Sequence, residues 1–349
     1  MARLATRGSL ASLKREITIA GGGLAGLSLG TALRLRGVPV TILEAGHYPR
    51  HRVCGEFISG VSPETLDELG IGHLFNDARR PSSLAWYQAG RLVYRGELVV
   101  PAIGISRYVL DARIKREFES LGGVVVNKRA TVQPREGLVW AAGRRPSPGK
   151  WLGLKAHVKG IVTQADLEMH AGRNGYAGLV EVEDGWTNLC GLFRSDPSIR
   201  AQPAQLLTAY LEKGGHRQLS ATLKDCEWRA GSHSATAGFS LGRQATIPGL
   251  LAIGDAESMI PPFTGNGMAM AFQAAACAVE PLRDYSNGTR TWESAANVVR
   301  RALRRKFARR LAAAGILHPF LLEPGGRSLL QSLASARVLP FKPMLALVR

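Results

Sequence analysis

Short apolar runs and helically spaced leucines alternate at the start of the chain. A β-branched run over 17–20 leads into Gly21-Gly22-Gly23 and predicts a strand that enters a tight turn. Residues 24–36 then carry leucines at helical spacing, and Gly37 is placed to end that helix. A second apolar run, 38–43, closes with Glu44. The pattern predicts a strand–helix–strand unit of about 30 residues.

Alternation of apolar and polar residues marks a second kind of region. It runs over 87–103 and 151–193 between turn signals such as Glu183-Asp184-Gly185, and predicts antiparallel strands. The stretch 110–121 between them predicts an amphipathic helix. Further patterns predict strands over 123–126, 138–142 and 250–253, and helices over 203–213, 266–282 and 291–314.

The order of these elements predicts a chain that weaves between two subdomains. We expect an α/β fold in which residues 15–80, 104–150 and 234–290 form one discontinuous domain. Residues 81–103 and 151–233 would form a second, antiparallel β-sheet domain that receives the substrate. Residues 291–349 would form a helical C-terminal segment.

The glycines after the first strand have the spacing that a dinucleotide requires. In Gly21-x-Gly23-x-x-Gly26 the first glycine permits the turn, the second admits a pyrophosphate, and the third allows helix–strand packing. The helix that begins at Leu24 and Ala25 offers N–H donors and a positive dipole. Glu44, followed by Ala45, ends the second strand, where a carboxylate can bind an adenosine ribose. The order predicts a Rossmann-like dinucleotide-binding domain.

A second motif lies far along the chain and predicts which dinucleotide binds. Asp255 follows an apolar strand, where its carboxylate could meet a ribityl hydroxyl, and Gly254 allows close approach. The loop Pro261–Met268 then opens a helix whose N–H groups would stabilise negative charge on a reduced flavin. Together the motifs predict FAD. The loop positions assigned to the cofactor are Pro261, Gly265, Asn266, Gly267 and Met268.

On these motifs the chain resembles the FAD-dependent oxidoreductases that group aromatic hydroxylases with geranylgeranyl reductases and flavin halogenases. The similarity spans Ile17 to about Leu282. The segment Arg52-Val53-Cys54-Gly55-Glu56 resembles a stretch of the reductase-like branch in which a basic residue and the backbone approach the flavin. Ile105–Asp111 resembles the family's Arg-x-x-Leu-Asp segment, whose arginine, here Arg107, lies near the cofactor. The resemblance therefore adds Arg52, Val53, Cys54 and Arg107 to the FAD site.

Two departures from the family pattern bear on function. Ala141-Ala142-Gly143 stands where the family carries an Asp-Gly pair implicated in binding both the FAD pyrophosphate and NAD(P)H. Direct use of NAD(P)H as electron donor is therefore left open. The Trp-x-Trp-x-Ile-Pro signature of the halogenases is absent, which argues against halogenation.

Three residues are candidates for chemistry beside the flavin. Cys54 would act in redox or proton transfer, or would pack as a small apolar side chain. Lys155 and His157 alternate along a predicted strand and would orient substrate or a peroxide, or would lie on an exposed strand face. No cluster has metal-ligand spacing, so no metal is expected.

The net charge of +18 is the unusual bulk property. It indicates either a solvated basic surface or attraction to an acidic partner, such as a membrane surface, a carrier protein or a phosphorylated substrate. Nucleic acid is not expected, since no recognised binding motif accompanies the charge. Basic residues over 300–310 surround apolar positions, so this helix would lie on anionic lipid or pack on its own core.

Composition and the absence of a secretory apolar run predict a cytoplasmic protein, with peripheral membrane contact as the alternative. The apolar stretches 317–322 and 329–348 are placed to cap a lipophilic pocket.

The leading interpretation is an FAD-dependent monooxygenase that hydroxylates a lipophilic or aromatic small molecule, such as a polyketide-like or isoprenoid phenol. The first alternative is a flavin-dependent reductase of isoprenoid double bonds, which Arg52–Glu56 favours. The second is a non-catalytic flavin-binding or electron-relay protein.

Overall fold

The computed structural model describes residues 14–336 together with Pro343, Ala346 and Leu347, so part of the predicted stretch 329–348 lies outside the described residues. Its strands are β1 (Ile17–Ala20), β2 (Val40–Glu44), β3 (Phe57–Ile58), β4 (Ser83–Gln88), β5 (Arg91–Glu97), β6 (Ile103–Gly104), β7 (Val124–Asn127), β8 (Leu138–Trp140), β9 (Trp151–Lys159), β10 (Leu167–Ala171), β11 (Gly175–Glu181), β12 (Thr187–Arg194), β13 (Glu227–Trp228), β14 (Ser234–Ala237), β15 (Gly242–Arg243), β16 (Leu251–Ala252) and β17 (Ser258–Met259). Its helices are α1 (Leu24–Leu35), α2 (Pro63–Glu68), α3 (Arg107–Ser120), α4 (Leu206–Gly214), α5 (Arg217–Thr222), α6 (Gly267–Ser286), α7 (Trp292–Leu322) and α8 (Pro324–Ser335).

A five-stranded parallel sheet forms the first half of the fold. Its strand order is β16-β8-β1-β2-β7, and α1 connects β1 to β2 as the sequence pattern predicts. The inner strands of the sheet are apolar and buried, with Ile17, Ile19 and Ile42 fully inaccessible, whereas the edge strand β7 is largely exposed. The chain leaves β1 towards β2 on one side, while β8 lies on the other. This reversal of strand order creates a crevice at the carboxyl ends of β1 and β8, where α/β sheets bind ligands.

A larger sheet of eight strands forms the second half. Its order is β13-β9-β12-β11-β10-β4-β5, with β14 also paired to β9. The pairs are antiparallel as predicted, except that β4 and β10 are parallel. A parallel pair is possible here because the chain crosses through the first sheet between β5 and β9, which supplies the long connection that parallel strands need. One face packs on α4 and α5, and the other faces the parallel sheet.

Two long helices close the molecule. α6 packs on α1, and the apolar face of α7 packs in the same core through Val299, Leu303 and Phe307. Both helices run further than the spacing predicts, to Ser286 and Leu322, and both contain an internal proline. No helix in the part of the chain that the structure describes combines the length and apolarity needed to cross a bilayer.

The predicted weaving between two regions is visible in the two sheets. β14 lies inside the range 234–290 expected for the first domain, yet it pairs with β9 of the larger sheet. The domain limits themselves remain a prediction.

Candidate active site

One continuous cavity of about 1010 Å³ runs between the two sheets. Its polar end is formed by residues that follow β1, β2, β8 and β16, at the crevice described above. Its other end is apolar and is formed by the larger sheet and the end of α7. Predicted cofactor residues that line it are Gly21, Gly23, Leu24, Ala25, Glu44, Ala45, Arg52, Val53, Cys54, Arg107, Gly254, Asp255, Gly265, Gly267 and Met268.

The glycine loop has the shape that a pyrophosphate requires. Gly21 has a φ of +108°, and a Cβ there would overlap the Ala141 backbone. Gly23 precedes α1 without a side-chain cap, and no acidic residue lies in the first turn. The positive end of the helix dipole is therefore left for an anion. Gly26 does not line the cavity; a Cβ there would overlap the Gly21 carbonyl, so this glycine permits helix–strand packing.

Glu44 is held as a carboxylate at the end of β2. It accepts hydrogen bonds from the backbone N–H groups of Gly22 (2.7 Å) and Gly46 (2.8 Å) and from Arg50 (2.7 Å). Burial alone would raise the pKa of Glu44, but these N–H groups and the nearby arginines hold it below its ordinary value. An oriented carboxylate at this position suits the hydroxyls of an adenosine ribose.

Two arginines share one buried acid beside the glycine loop. Arg107 binds Asp111 through two hydrogen bonds of 2.6 and 2.8 Å, and Arg52 Nε lies 3.1 Å from the same carboxylate. Burial and the charge of Arg107 lower the pKa of Arg52. The excess positive charge faces the cavity and suits a pyrophosphate. Further arginines line the same cavity: Arg50, Arg129, Arg144 and Arg145.

Asp255 presents its carboxyl group to the cavity. Desolvation by the surrounding protein raises the pKa of Asp255, although the charges of Arg107 and Arg144 oppose the effect. Among the described residues none donates a hydrogen bond to this carboxyl, so its acceptor capacity is left for a ligand hydroxyl. Gly254 has a φ of +63°, and a Cβ there would lie 3.0 Å from the Cβ of Ala25. Gly254 therefore lets the acid approach the glycine loop.

The Pro261–Met268 loop divides into cavity-facing and turn-forming residues. Gly265, Gly267 and Met268 line the cavity at the start of α6. Pro261 and Asn266 do not: the Pro261 carbonyl accepts from the Thr264 hydroxyl (3.0 Å), and buried Asn266 donates to the Thr264 carbonyl (2.9 Å). Their contribution is to shape the turn that aims the α6 amino terminus at the cavity.

Cys54 and Val53 line the cavity between its polar and apolar ends. Burial raises the pKa of the Cys54 thiol, which therefore stays protonated at neutral pH. Its sulfur accepts a weak hydrogen bond from the Glu56 backbone N–H (3.5 Å). Cys54 therefore presents a thiol, and not a thiolate, to the cavity. Its catalytic role stays a prediction.

Lys155 and His157 do share one face of β9, as predicted, but they lie behind the cavity wall and not on an exposed face. Lys155 Nζ is 2.8 Å from Glu56 Oε1, and His157 Nε2 is 2.6 Å from Glu56 Oε2. All three side chains are buried. Neither Lys155 nor His157 lines the cavity, so this geometry makes them partners of Glu56 and places neither in contact with a substrate.

Glu56 is the residue at this site that sequence reasoning missed. It has a φ of +53° and accepts a third hydrogen bond from the Arg107 backbone N–H (2.9 Å) at the start of α3. Burial alone would raise the pKa of Glu56, but the His157 hydrogen bond and the Lys155 charge hold it below its ordinary value. The available signal was the pair of basic side chains in an apolar strand, since a buried cation requires a nearby acid.

Aromatic side chains join the Pro261–Met268 loop to the end of α7. The Tyr176 hydroxyl accepts from the Phe263 backbone N–H (3.2 Å) and lies 3.4 Å from His318 Nε2. The rings of His318 and Phe263 stack with centroids 5.8 Å apart. Burial lowers the pKa of His318 to about 4, so the ring is neutral. The apolar end of the cavity is lined by Leu84, Trp86, Leu98, Met169, Tyr176, Val180, Leu192, Phe239, Phe263, Leu317, Phe320, Leu321 and Leu330.

Metal ligands were not predicted, and within the described residues no group of three or more His, Cys, Asp and Glu side chains is placed to hold a metal ion.

Comparisons with known proteins agree with this geometry. Residues 14–117, under a third of the chain, match the family model of the FAD binding domain. No curated protein matches the chain. Among solved structures, p-nitrophenol 4-monooxygenase PnpA from Pseudomonas putida DLL-E4 is 13% identical, with a TM-score of 0.74 over 96% of this chain and 97% of that one.

Two further structures share the fold. Flavin-dependent brominase Bmp2 is 16% identical, with a TM-score of 0.72 over 95% of this chain and 94% of that one. A single-substitution variant of HpxO from Klebsiella pneumoniae, complexed with FAD, is 14% identical, with a TM-score of 0.69 over 95% of this chain and 98% of that one.

The family match, the shared fold and the cavity define the class of the chain: it is an FAD-dependent oxidoreductase. Its cofactor is FAD. The glycine loop, Glu44 and Asp255 line the cavity, and their assignment to the adenosine diphosphate and the ribityl chain stays a prediction.

Proposed function

We propose that this enzyme is a monooxygenase that inserts one oxygen atom into a lipophilic or aromatic small molecule. The observation that carries the proposal is the continuity of the cavity, which joins the FAD-binding loops to a wall of aromatic and aliphatic side chains. A wall of this kind binds apolar rings and excludes water. Solved structures with the same fold include a p-nitrophenol monooxygenase, which is consistent with an aromatic substrate.

The geometry assigns separate roles to the flavin, the α6 amino terminus and the larger sheet. The bound flavin supplies electron transfer to dioxygen. The α6 amino terminus offers N–H donors and a positive dipole to negative charge on the flavin. The apolar sheet face keeps water from the reacting atoms. On that face Gln88 of β4 presents an amide side chain to the cavity. This amide would orient a polar group of the substrate.

The electron donor is proposed to be NAD(P)H, which would bind at the cavity edge that Arg144 and Arg145 line. Arg144 follows the departure at Ala141-Ala142-Gly143 and donates to the Thr236 hydroxyl (3.1 Å). Arginines at this cavity edge supply positive charge for a nucleotide phosphate. The aspartate of the family's Asp-Gly pair, which would oppose that charge, is absent from Ala141-Ala142-Gly143.

Isotopically labelled dioxygen tests the proposal. FAD-reconstituted protein is incubated with NADH or NADPH and a panel of phenols and polyprenyl phenols. We expect donor oxidation that the substrate stimulates and a product that contains labelled oxygen. Product formed without dioxygen would instead support reduction of an isoprenoid double bond, the second candidate, which the position of Cys54 at the cavity surface favours.

The basic surface of α7 is proposed to contact an acidic partner, either anionic lipid or a carrier protein. Arg301, Arg304, Arg305 and Arg309 are exposed, whereas the apolar face of the helix is buried in the core. Contact would therefore rest on charge, without insertion of the helix into lipid. With such a contact the protein would be cytoplasmic and peripheral.

A further inference from the structure

His51 lies in sequence between Arg50 and Arg52, but its ring makes different contacts. Arg50 and Arg52 reach Glu44 and Asp111, whereas the His51 ring stacks on Tyr108 (centroids 4.5 Å apart) and lies edge-on to His157 (5.0 Å). His51 also lines the cavity. Its ring is thus fixed in orientation at the cavity wall.

The contact between Lys155 and His51 decides which ring nitrogen carries the proton. Lys155 Nζ lies 3.1 Å from His51 Nδ1 and forms the buried ion pair with Glu56. A lysine ammonium has three donors and no acceptor, so Nδ1 must accept and the ring proton must be on Nε2. Nε2 is separated by Cε1 from Nδ1, the nitrogen that Lys155 contacts.

The charges around His51 keep the ring neutral. Burial, together with the charges of Lys155, His157 and Arg229, opposes a second ring proton, and Glu56 favours one. The balance lowers the pKa of His51 to about 4. At neutral pH the ring is therefore a donor through Nε2–H and cannot serve as a base through Nδ1.

We propose that His51 is a substrate-recognising hydrogen-bond donor, whose Nε2–H binds an anionic or strongly accepting oxygen, and that Lys155 and Glu56 are its positioning residues. The oxygen is assigned to a phenolate of the aromatic substrate, with a flavin oxygen as the other source of the same chemistry. The substrate assignment rests on the proposed function. It adds that the substrate carries an oxygen that binds as the anion, since an N–H donor binds an ionised oxygen more strongly than a neutral one.

Heteronuclear NMR of protein with isotope-labelled histidine tests the tautomer directly. The His51 signal is assigned by its loss in His51→Phe. We expect a neutral Nε2–H ring from about pH 5.5 to 8. An Nδ1–H ring, or a ring that titrates near the ordinary histidine pKa, would overturn the proposal. Adding FAD and then 1-naphthol shows which partner moves the Nε2–H signal: a shift on FAD addition alone would replace the substrate with the flavin as the partner.

Lys155→Met tests the positioning role, with Lys159→Met as its matched control. Lys159 is exposed on the same strand and contacts Trp186. In Lys155→Met we expect both neutral tautomers and a higher pKa of His51, because the donor to Nδ1 and its charge are gone. Lys159→Met should leave the ring unchanged. An unchanged ring in Lys155→Met would contradict the positioning role, and if that variant fails to fold, the wild-type tautomer still decides.

A binding comparison separates this proposal from the proposed function. FAD-loaded wild type should bind 1-naphthol about tenfold more tightly than naphthalene, and His51→Phe should lose that preference. Equal preference in both proteins would remove His51 from substrate recognition. Failure of the wild type to bind either compound would contradict the aromatic substrate class, while the tautomer measurement would stand on its own.

Discussion

The two acids at the cavity, Glu44 and Asp255, differ in how many hydrogen bonds their carboxylates accept from the protein. Glu44 accepts hydrogen bonds from the backbone and Arg50, so its substitution would disturb the protein as well as the ligand. Asp255 faces the cavity and accepts none from the residues that the structure describes, and its pKa is raised by its surroundings. The two acids are therefore separable by experiment.

Asp255→Ala should lose most FAD occupancy without destabilising the FAD-free protein. The carboxyl is predicted to bind the ribityl chain. Because Asp255 is exposed to the cavity and accepts no hydrogen bond from the described residues, its removal should cost the FAD-free fold little. Flavin absorbance after reconstitution measures the first effect, and thermal unfolding of the FAD-free protein the second. Glu44→Ala is the comparison: it should weaken FAD by about 1–3 kcal/mol and also destabilise the FAD-free protein. Wild-type occupancy in Asp255→Ala would remove the residue from the site.

At the residue scale, sequence reasoning succeeded where a residue type has one physical use. The φ of Gly21 and the close approach at Gly254 follow directly from the glycine spacing and the strand pattern. It did not distinguish residues that line the cavity from residues that shape the backbone, such as Gly26 and Asn266. Glu56 was missed because its partners lie about 100 positions away, a separation that no local pattern encodes.

At the scale of elements, the C-terminal helices extend further than their sequence indicates. The spacing predicts a helix only as far as 314, and Pro319 removes a backbone donor, yet α7 continues to Leu322. The reason is tertiary: His318 packs against Tyr176 and Phe263, and Leu321 and Leu322 are buried in the apolar cluster of the larger sheet. Burial of these side chains stabilises the last turn more than the proline destabilises it.

Leu321→Trp should narrow the apolar end of the cavity and weaken binding of 1-naphthol by at least about tenfold. FAD occupancy should not change, because Leu321 lies in the cluster of the larger sheet and not among the nucleotide loops. Ile316→Trp, on an exposed position of the same helix, is the control for a bulky substitution in α7. Wild-type affinity in Leu321→Trp would show that α7 does not wall the substrate site.

For the whole molecule, buried neutral histidines set the response to acid. The pKa of His51, of His216 and of His318 is lowered to about 4, chiefly by burial. His216 is 1% exposed, and neither ring nitrogen has a hydrogen-bond partner among the described residues. In the unfolded chain these rings accept protons near pH 6.5, whereas in the fold they do not until about pH 4. Stability is therefore complete above the unfolded pKa and falls as the pH is lowered.

Denaturant unfolding at about pH 7.5 and pH 5 should show this loss. His216 alone should contribute about 2 kcal/mol to it, so the difference between the two pH values should shrink by about that amount in His216→Leu. The comparison uses the difference within each protein, so a change in overall stability of the variant does not affect it. An equal pH dependence in both proteins would show that the His216 ring is protonated or solvated in the fold.

Glu56 also has a consequence for the order in which the protein can be completed during synthesis. The segment that matches the FAD binding domain, 14–117, contains Glu56 and the Arg107 N–H that binds it. Lys155 and His157, which bind the Glu56 carboxylate, emerge from the ribosome about a hundred residues after Glu56. Asp255 emerges later still. Until β9 is made, folding of the segment 50–56 would bury Glu56 without its Lys155 and His157 partners. We therefore expect FAD to be captured late, after the larger sheet has formed, although the nucleotide fingerprint lies near the start of the chain.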